Sequence, residues 1–164
     1  MSRPQESPYL MMSITVGVVD VFVCRHSSDG LSVLVLRRGS GTRCTGAWEV
    51  VHGRVEPDER PEDAAVREVR EETALPVERL YNVTCQPFYL HRLATVQMAV
   101  VFVAFVPSAH DVQLGPEHDR AEWLTPDEAM GRLSWPRSIS ALRDAVQVLH
   151  TGDAGAVEDV LRVI

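Results

Sequence analysis

Apolar residues recur along this chain in two rhythms, and the rhythm separates strands from helices. Residues 13–24 (SITVGVVDVFVC) are rich in valine and read as one long strand. Residues 27–30 turn the chain, and 31–36 return as a second strand. Residues 37–46 are basic and glycine-rich, which predicts a loop. A short strand at 48–51 follows. Residues 80–90 and 97–106 have strand composition again and are expected to pair as a hairpin. Residues 108–118 read as polar loop, and 121–124 as a further short strand.

Three segments read as helix. Pro61 suits a first helical turn, where its missing N–H costs nothing. Glu59, Glu62 and Asp63 place negative charge near the positive end of the helix dipole. No glycine or proline follows until Pro76, so the spacing predicts a helix over 61–73. Thr125 caps a second helix over 126–133, and 136–149 form a third. A weaker helical signal spans 157–164, and the tail from Thr151 reads as loosely held. There is no repeat, low-complexity tract or linker. The expectation is one domain over 13–150, an N-terminal extension over 1–12 and a tail over 151–164. Its class is α/β, a mixed β-sheet flanked by helices.

The helix over 61–73 also carries chemistry. At about 100° per residue, Glu68, Glu71 and Glu72 fall on one arc beside an apolar stripe of Ala65, Val66 and Val69. Arg67 lies next to them. Like charges at this spacing repel, and a hard divalent cation offsets that directly. Mg²⁺ takes carboxylates, waters and substrate phosphates as ligands. Alternating charges on a helix usually form a solvated face, and REVREE alone reads that way. The longer pattern does not. It runs Gly53, five residues, Glu59, seven residues, then Arg67-Glu68-Val69-Arg70-Glu71-Glu72. Six such residues at fixed offsets arise by chance in about one window in ten million, so the spacing points to a functional unit.

Composition narrows the picture. A net charge of −7 disfavours binding to nucleic-acid backbones. All 16 basic residues are arginine, which excludes a lysine nucleophile or Schiff base. Three scattered cysteines argue against a disulfide framework or zinc site and suit a cytoplasmic location. No apolar run approaches a membrane span, and the N-terminus does not read as a signal peptide.

The 53–75 segment, GRVEPDERPEDAAVREVREETAL, resembles the signature of the Nudix hydrolases. Two positions depart from it: Ala74 replaces a late glycine, and Asp58 stands where glycine is frequent. The resemblance implies a Nudix α/β/α sandwich with the box as loop-helix-loop. It implies Mg²⁺-dependent cleavage of a pyrophosphate linkage, with Mn²⁺ able to substitute. Glu68 matches a metal-binding or general-base glutamate, and Glu71 and Glu72 match the principal metal ligands. Arg67 matches the arginine that orients them, with Glu68, Arg67 and Glu71 as the catalytic set. Gly53 matches the glycine whose carbonyl reaches the metal. Glu117 is the best candidate for a further ligand, with Asp119 and Glu122 competing.

Arg37, Arg38, His52 and Trp135 are candidate substrate contacts, and Arg43 and Arg54 are further candidates for phosphate. WEVVHGRVE and SWPRSISAL look like the dATP and dihydroneopterin triphosphate pyrophosphatases. The expected substrate is a nucleoside or pterin triphosphate cleaved to monophosphate and pyrophosphate. A dinucleoside polyphosphate, a nucleotide sugar and a non-catalytic nucleotide sensor are the alternatives. A homodimer is left open.

Overall fold

The computed structural model describes residues 12–164. All but the last residue of the expected N-terminal extension lies outside the described residues. The chain forms β1 (Ser13–Ser27), β2 (Gly30–Arg38), β3 (Trp48–Glu49), β4 (Val51–Arg54), α1 (Pro61–Thr73), β5 (Arg79–Leu90), β6 (Thr95–Phe105), β7 (His118–Leu124), α2 (Pro126–Arg132), α3 (Pro136–Leu149) and α4 (Glu158–Leu161).

β1 organises the sheet. One of its edges runs parallel to β6 from Ser13 to Cys24, with a bulge at Gly17. Its other edge is shared: Val18 to Val21 pair with β4, and Cys24 to Ser27 pair with β2. β2 carries β3 and β7, and β5 is antiparallel to β6. The parallel pair within an otherwise antiparallel set makes the sheet mixed. Period-two alternation then sends side chains to opposite faces. Val19, Val21, Leu34, Leu36 and Phe102 pack with Ala64, Ala65 and Val69 of α1. Phe22, Val33, Val35, Val101 and Val103 pack with Ala129, Ala141, Leu142 and Ala145 of α2 and α3. The result is an α/β/α sandwich, as expected.

The structure differs from the sequence reading in three places. The strand expected at 48–51 is two strands with different partners, β3 on β2 and β4 on β1. The chain crosses at Val50 from one neighbour to the other, where β1 and β2 diverge. β7 begins at His118, three residues before its apolar pattern, because backbone pairing to β2 holds those polar residues. The helical signal over 157–164 becomes a 3-10 turn and one turn of α4. The tail is held rather than loose. Val163 N–H donates to the Leu80 carbonyl at 2.7 Å, and the Tyr81 hydroxyl donates to Glu158 at 2.9 Å.

Candidate active site

A cleft of about 870 Å³ opens where β1, β4 and β5 meet the start of α3. Arg67, Glu68 and Glu71 of α1 line it, with Gly53, His52 and Arg54 of β4, Arg38 of β2 and Glu117. Trp135, Arg137, Phe88 and Asp20 line the opposite wall. The structure therefore brings together Glu68, Arg67, Glu71, Gly53, Glu117, Arg38, His52 and Trp135. Glu72 is buried at the same helix face. Arg37 points elsewhere: Nε and Nη2 both bond Asp119, at 2.8 and 3.0 Å. That pairing also commits Asp119. Glu122 is paired with Arg120 and Arg132.

Arg67 is the organiser of the acidic helix. Its Nε donates to Glu59 at 2.8 Å and its Nη1 to Glu68 at 2.7 Å. Nη2 donates to Glu59 and to the Arg54 carbonyl. The fork of a guanidinium suits this, since its donors hold fixed relative directions. The Arg67 bonds and the Glu56 backbone N–H hold the Glu59 carboxyl down at about 2.

Glu68 lies against Gly53. A β-carbon built on Gly53 would meet the Glu68 carboxyl carbon at 1.9 Å. Burial and the neighbouring Glu71 push the Glu68 carboxyl above its ordinary value, and Arg67 only partly offsets this. Glu72 is pushed further, to about 9, by burial and then by the charges of Glu68 and Glu49. Its Oε2 is buried without a hydrogen-bond partner.

Two residues that sequence reasoning missed sit beside Glu72. Glu49 accepts from Arg38 Nη1 at 2.8 Å, and the same oxygen lies 3.0 Å from His118 Nε2. Burial opposes charge on Glu49, but the His118 and Arg38 bonds more than offset it and lower its pKa. Glu49 had a signal: a carboxylate inside an otherwise apolar strand. His118 had less, one polar residue in an apparent polar loop.

On the opposite wall, Asp20 is 2% exposed. His52 Nδ1 lies 2.6 Å from its Oδ1, and Arg137 Nη2 lies 3.2 Å from its Oδ2. Burial raises the Asp20 pKa, but His52 and Arg137 more than offset this and hold it below its ordinary value. An ionised carboxylate only accepts, so His52 Nδ1 carries the proton and its Nε2 is left for the cleft. Arg137 also stacks 4.4 Å above the Phe88 ring.

The donor set suits a hard divalent cation. It is all oxygen, crowded and anionic, with one buried carboxylate oxygen unsatisfied. Among the described residues, no three acidic, histidine or cysteine side chains yet converge as a ligand cluster. Arg67 occupies the space between Glu59, Glu68 and Glu71 instead. Glu71 and Glu117 have 59% and 60% of their side chains exposed and are each held by a longer ion pair, to Arg67 at 3.4 Å and to Arg38 at 3.2 Å.

Comparison with known proteins agrees with this architecture. The sequence model described as "NUDIX domain" matches residues 14–144. A MutT-like protein of Streptomyces ambofaciens is 32% identical over 144 residues, covering 87% of this chain and 83% of that one. A CTP pyrophosphohydrolase of Escherichia coli is 28% identical over 127 residues, 76% of this chain and 89% of that one. A Myxococcus xanthus protein named octanoyltransferase is 32% identical over 148 residues, 89% of this chain. The aligned part is 38% of that longer protein.

Among solved structures, the MutT protein of Methanosarcina mazei superposes with a TM-score of 0.67 at 25% identity, over 82% of this chain and 94% of that one. The Escherichia coli dihydroneopterin triphosphate pyrophosphohydrolase superposes with a TM-score of 0.65 at 23% identity, over 81% and 96%; that likeness is one of fold. The sandwich and its acidic helix thus define a class of hydrolase. The chain belongs to the Nudix family.

Proposed function

We propose that the chain is a Mg²⁺-dependent pyrophosphohydrolase that converts a nucleoside triphosphate to its monophosphate and pyrophosphate. The observation that carries this is Glu72. Its buried carboxyl lies among the charges of Glu68, Glu49 and Glu117 with one oxygen unsatisfied, so a cation bound there would replace the proton that this crowding favours. Glu68, Glu71, Glu72, Glu117 and the Gly53 carbonyl are the proposed ligands. Bound Mg²⁺ supplies charge neutralisation at the phosphate oxygens and acidifies water.

The chain's own residues supply the rest. Arg67 fixes Glu68 through its Nη1 bond and leaves Glu71 a longer contact of 3.4 Å. Glu68 and Glu71 both face the cleft, and either accepts the proton of the attacking water. Both accept from the same Arg67 Nη1, which ties the two side chains together. Arg43 and Arg54 line the cleft and form no ion pair among the described residues, which suits them to the anionic phosphates. Arg38 is already committed to Glu49 and Glu117, so its role is to hold those carboxylates. His52 and Trp135 are proposed to contact the rest of the substrate. The relative named as a CTP pyrophosphohydrolase supports a nucleoside triphosphate substrate.

The test is hydrolysis of a panel with product identification. The panel holds nucleoside triphosphates, dihydroneopterin triphosphate, dinucleoside polyphosphates and nucleotide sugars, each with and without Mg²⁺. Mg²⁺-dependent release of pyrophosphate from a triphosphate is expected. Nucleotide binding without turnover would replace this reading with a sensor.

A further inference from the structure

The loop before β7 is fastened to the end of α1. Gln113 N–H donates to the Thr73 carbonyl at 2.9 Å, and Gly115 N–H to the Glu72 carbonyl at 3.0 Å. These bonds satisfy carbonyls that a helix C-terminus otherwise leaves open. A β-carbon at Gly115 would meet the Glu71 carbonyl oxygen at 2.8 Å, so the approach needs glycine there. His118 follows three residues later, and its side chain is 1% exposed. Its Nε2 is anchored on Glu49 at 3.0 Å. Its Nδ1 has no hydrogen-bond partner and lies 3.9 Å from Glu72 Oε2, which has none either.

Two orphaned polar atoms facing one another in a buried place are costly unless something brings them into use. We infer that His118 is a positioning residue: anchored on Glu49, its Nδ1 fixes the orientation in which the Glu72 carboxylate is presented to a divalent cation. Partners of this kind behind a metal ligand contribute about 10–100-fold to metal affinity. Loop, strand and helix would then act as one support, because His118 is tied to β3 through Glu49 and its loop to α1 through Gly115. The inference rests on the metal-dependent reading proposed above.

The experiment separates the two readings, because it measures the metal without substrate. Mn²⁺ binding to the substrate-free protein is followed by electron paramagnetic resonance in wild type and in His118→Asn, His118→Gln and His118→Phe. Asparagine keeps a polar atom near the Nδ1 position, and glutamine keeps one near Nε2. We expect His118→Phe and His118→Gln to weaken Mn²⁺ binding about 10-fold or more. His118→Asn keeps the Nδ1-side atom but gives up the Glu49 anchor, so it should bind Mn²⁺ more tightly than His118→Gln and less tightly than wild type.

In turnover assays, the phenylalanine and glutamine variants should need correspondingly more Mg²⁺ for half-maximal rate, with kcat at saturating Mg²⁺ nearly unchanged. If His118→Phe fails to fold, the asparagine–glutamine comparison carries the test. Equal Mn²⁺ binding by the glutamine variant and wild type would overturn the role given to His118 and leave the proposed function standing. No Mn²⁺ binding by wild type would overturn both.

Discussion

Gly53 and Glu68 occupy each other's space: the position of a β-carbon on Gly53 lies 1.9 Å from the Glu68 carboxyl carbon. The glycine is therefore required by a side chain on another element, not by its own backbone, which pairs regularly with Val19. In Gly53→Ala the far end of Glu68 must move, and the flexible side chain can do so without unfolding the protein. A displacement of about 1 Å in a reacting group costs on the order of 10²-fold in rate. The expected result is a thermal midpoint close to wild type and turnover lower by about that factor, read by calorimetry and steady-state kinetics.

Glu68→Gln and Glu72→Gln should each lower turnover by about 10²–10⁴-fold while the protein stays folded. Glu72 adds a pH signature. Its folded pKa is raised to about 9 from 4.5, so between those values the metal-free folded state holds a proton that the unfolded state has lost. Stability of the metal-free protein therefore falls as pH rises through that window. Saturating Mg²⁺ should flatten the slope, and Glu72→Gln should flatten it without metal. Denaturant titrations at pH 5, 7 and 9, before and after chelation, check this.

Asp20 acts in the opposite sense. Its pKa is held below 3.8 by His52 and Arg137 against the effect of burial. Its contribution is present above that ordinary value and is lost as pH falls through the lower, folded one. Asp20→Ala leaves the Arg137 guanidinium without its carboxylate and should cost about 3 kcal/mol at neutral pH. The variant's stability should also depend less on pH below 4 than that of wild type. Urea unfolding between pH 2.5 and 7 measures both effects.

Ala74 caps α1 with φ 58° and ψ 13°, in the left-handed region. The departure from glycine at this position is thus carried as backbone strain, while the cap still forms through the Ala74 N–H to the Arg70 carbonyl. Ala74→Gly should stabilise the protein by about 0.5–1 kcal/mol, seen as a higher thermal midpoint with unchanged kinetics.

The parts of the fold governed by local pattern were legible in the chain. α1 spans the residues that Pro61 and the uninterrupted run to Thr73 define, and α3 spans those after Pro136. The acidic helix face was legible for the same reason, since its residues are neighbours in sequence. What escaped depends on contacts across the sheet. The parallel pairing of β1 with β6 joins segments some 80 residues apart and leaves no mark in either strand. The division of β3 from β4 follows from which neighbour each finds. Glu49 and His118 became part of the site only through register, because β2 pairs with both β3 and β7. Arg37 and Arg38 are adjacent in sequence, yet the strand sends one outward to Asp119 and the other to Glu49.

The central claim is that the carboxylates of α1 hold a divalent ion against a phosphoanhydride. The most direct measurement is a crystal grown with Mn²⁺ and a non-hydrolysable nucleoside triphosphate, with anomalous scattering recorded at the manganese edge. An anomalous peak in oxygen contact with Glu68, Glu72 and a phosphate oxygen is the expected result. A nucleotide seated in the cleft with no anomalous peak beside those glutamates would contradict the claim.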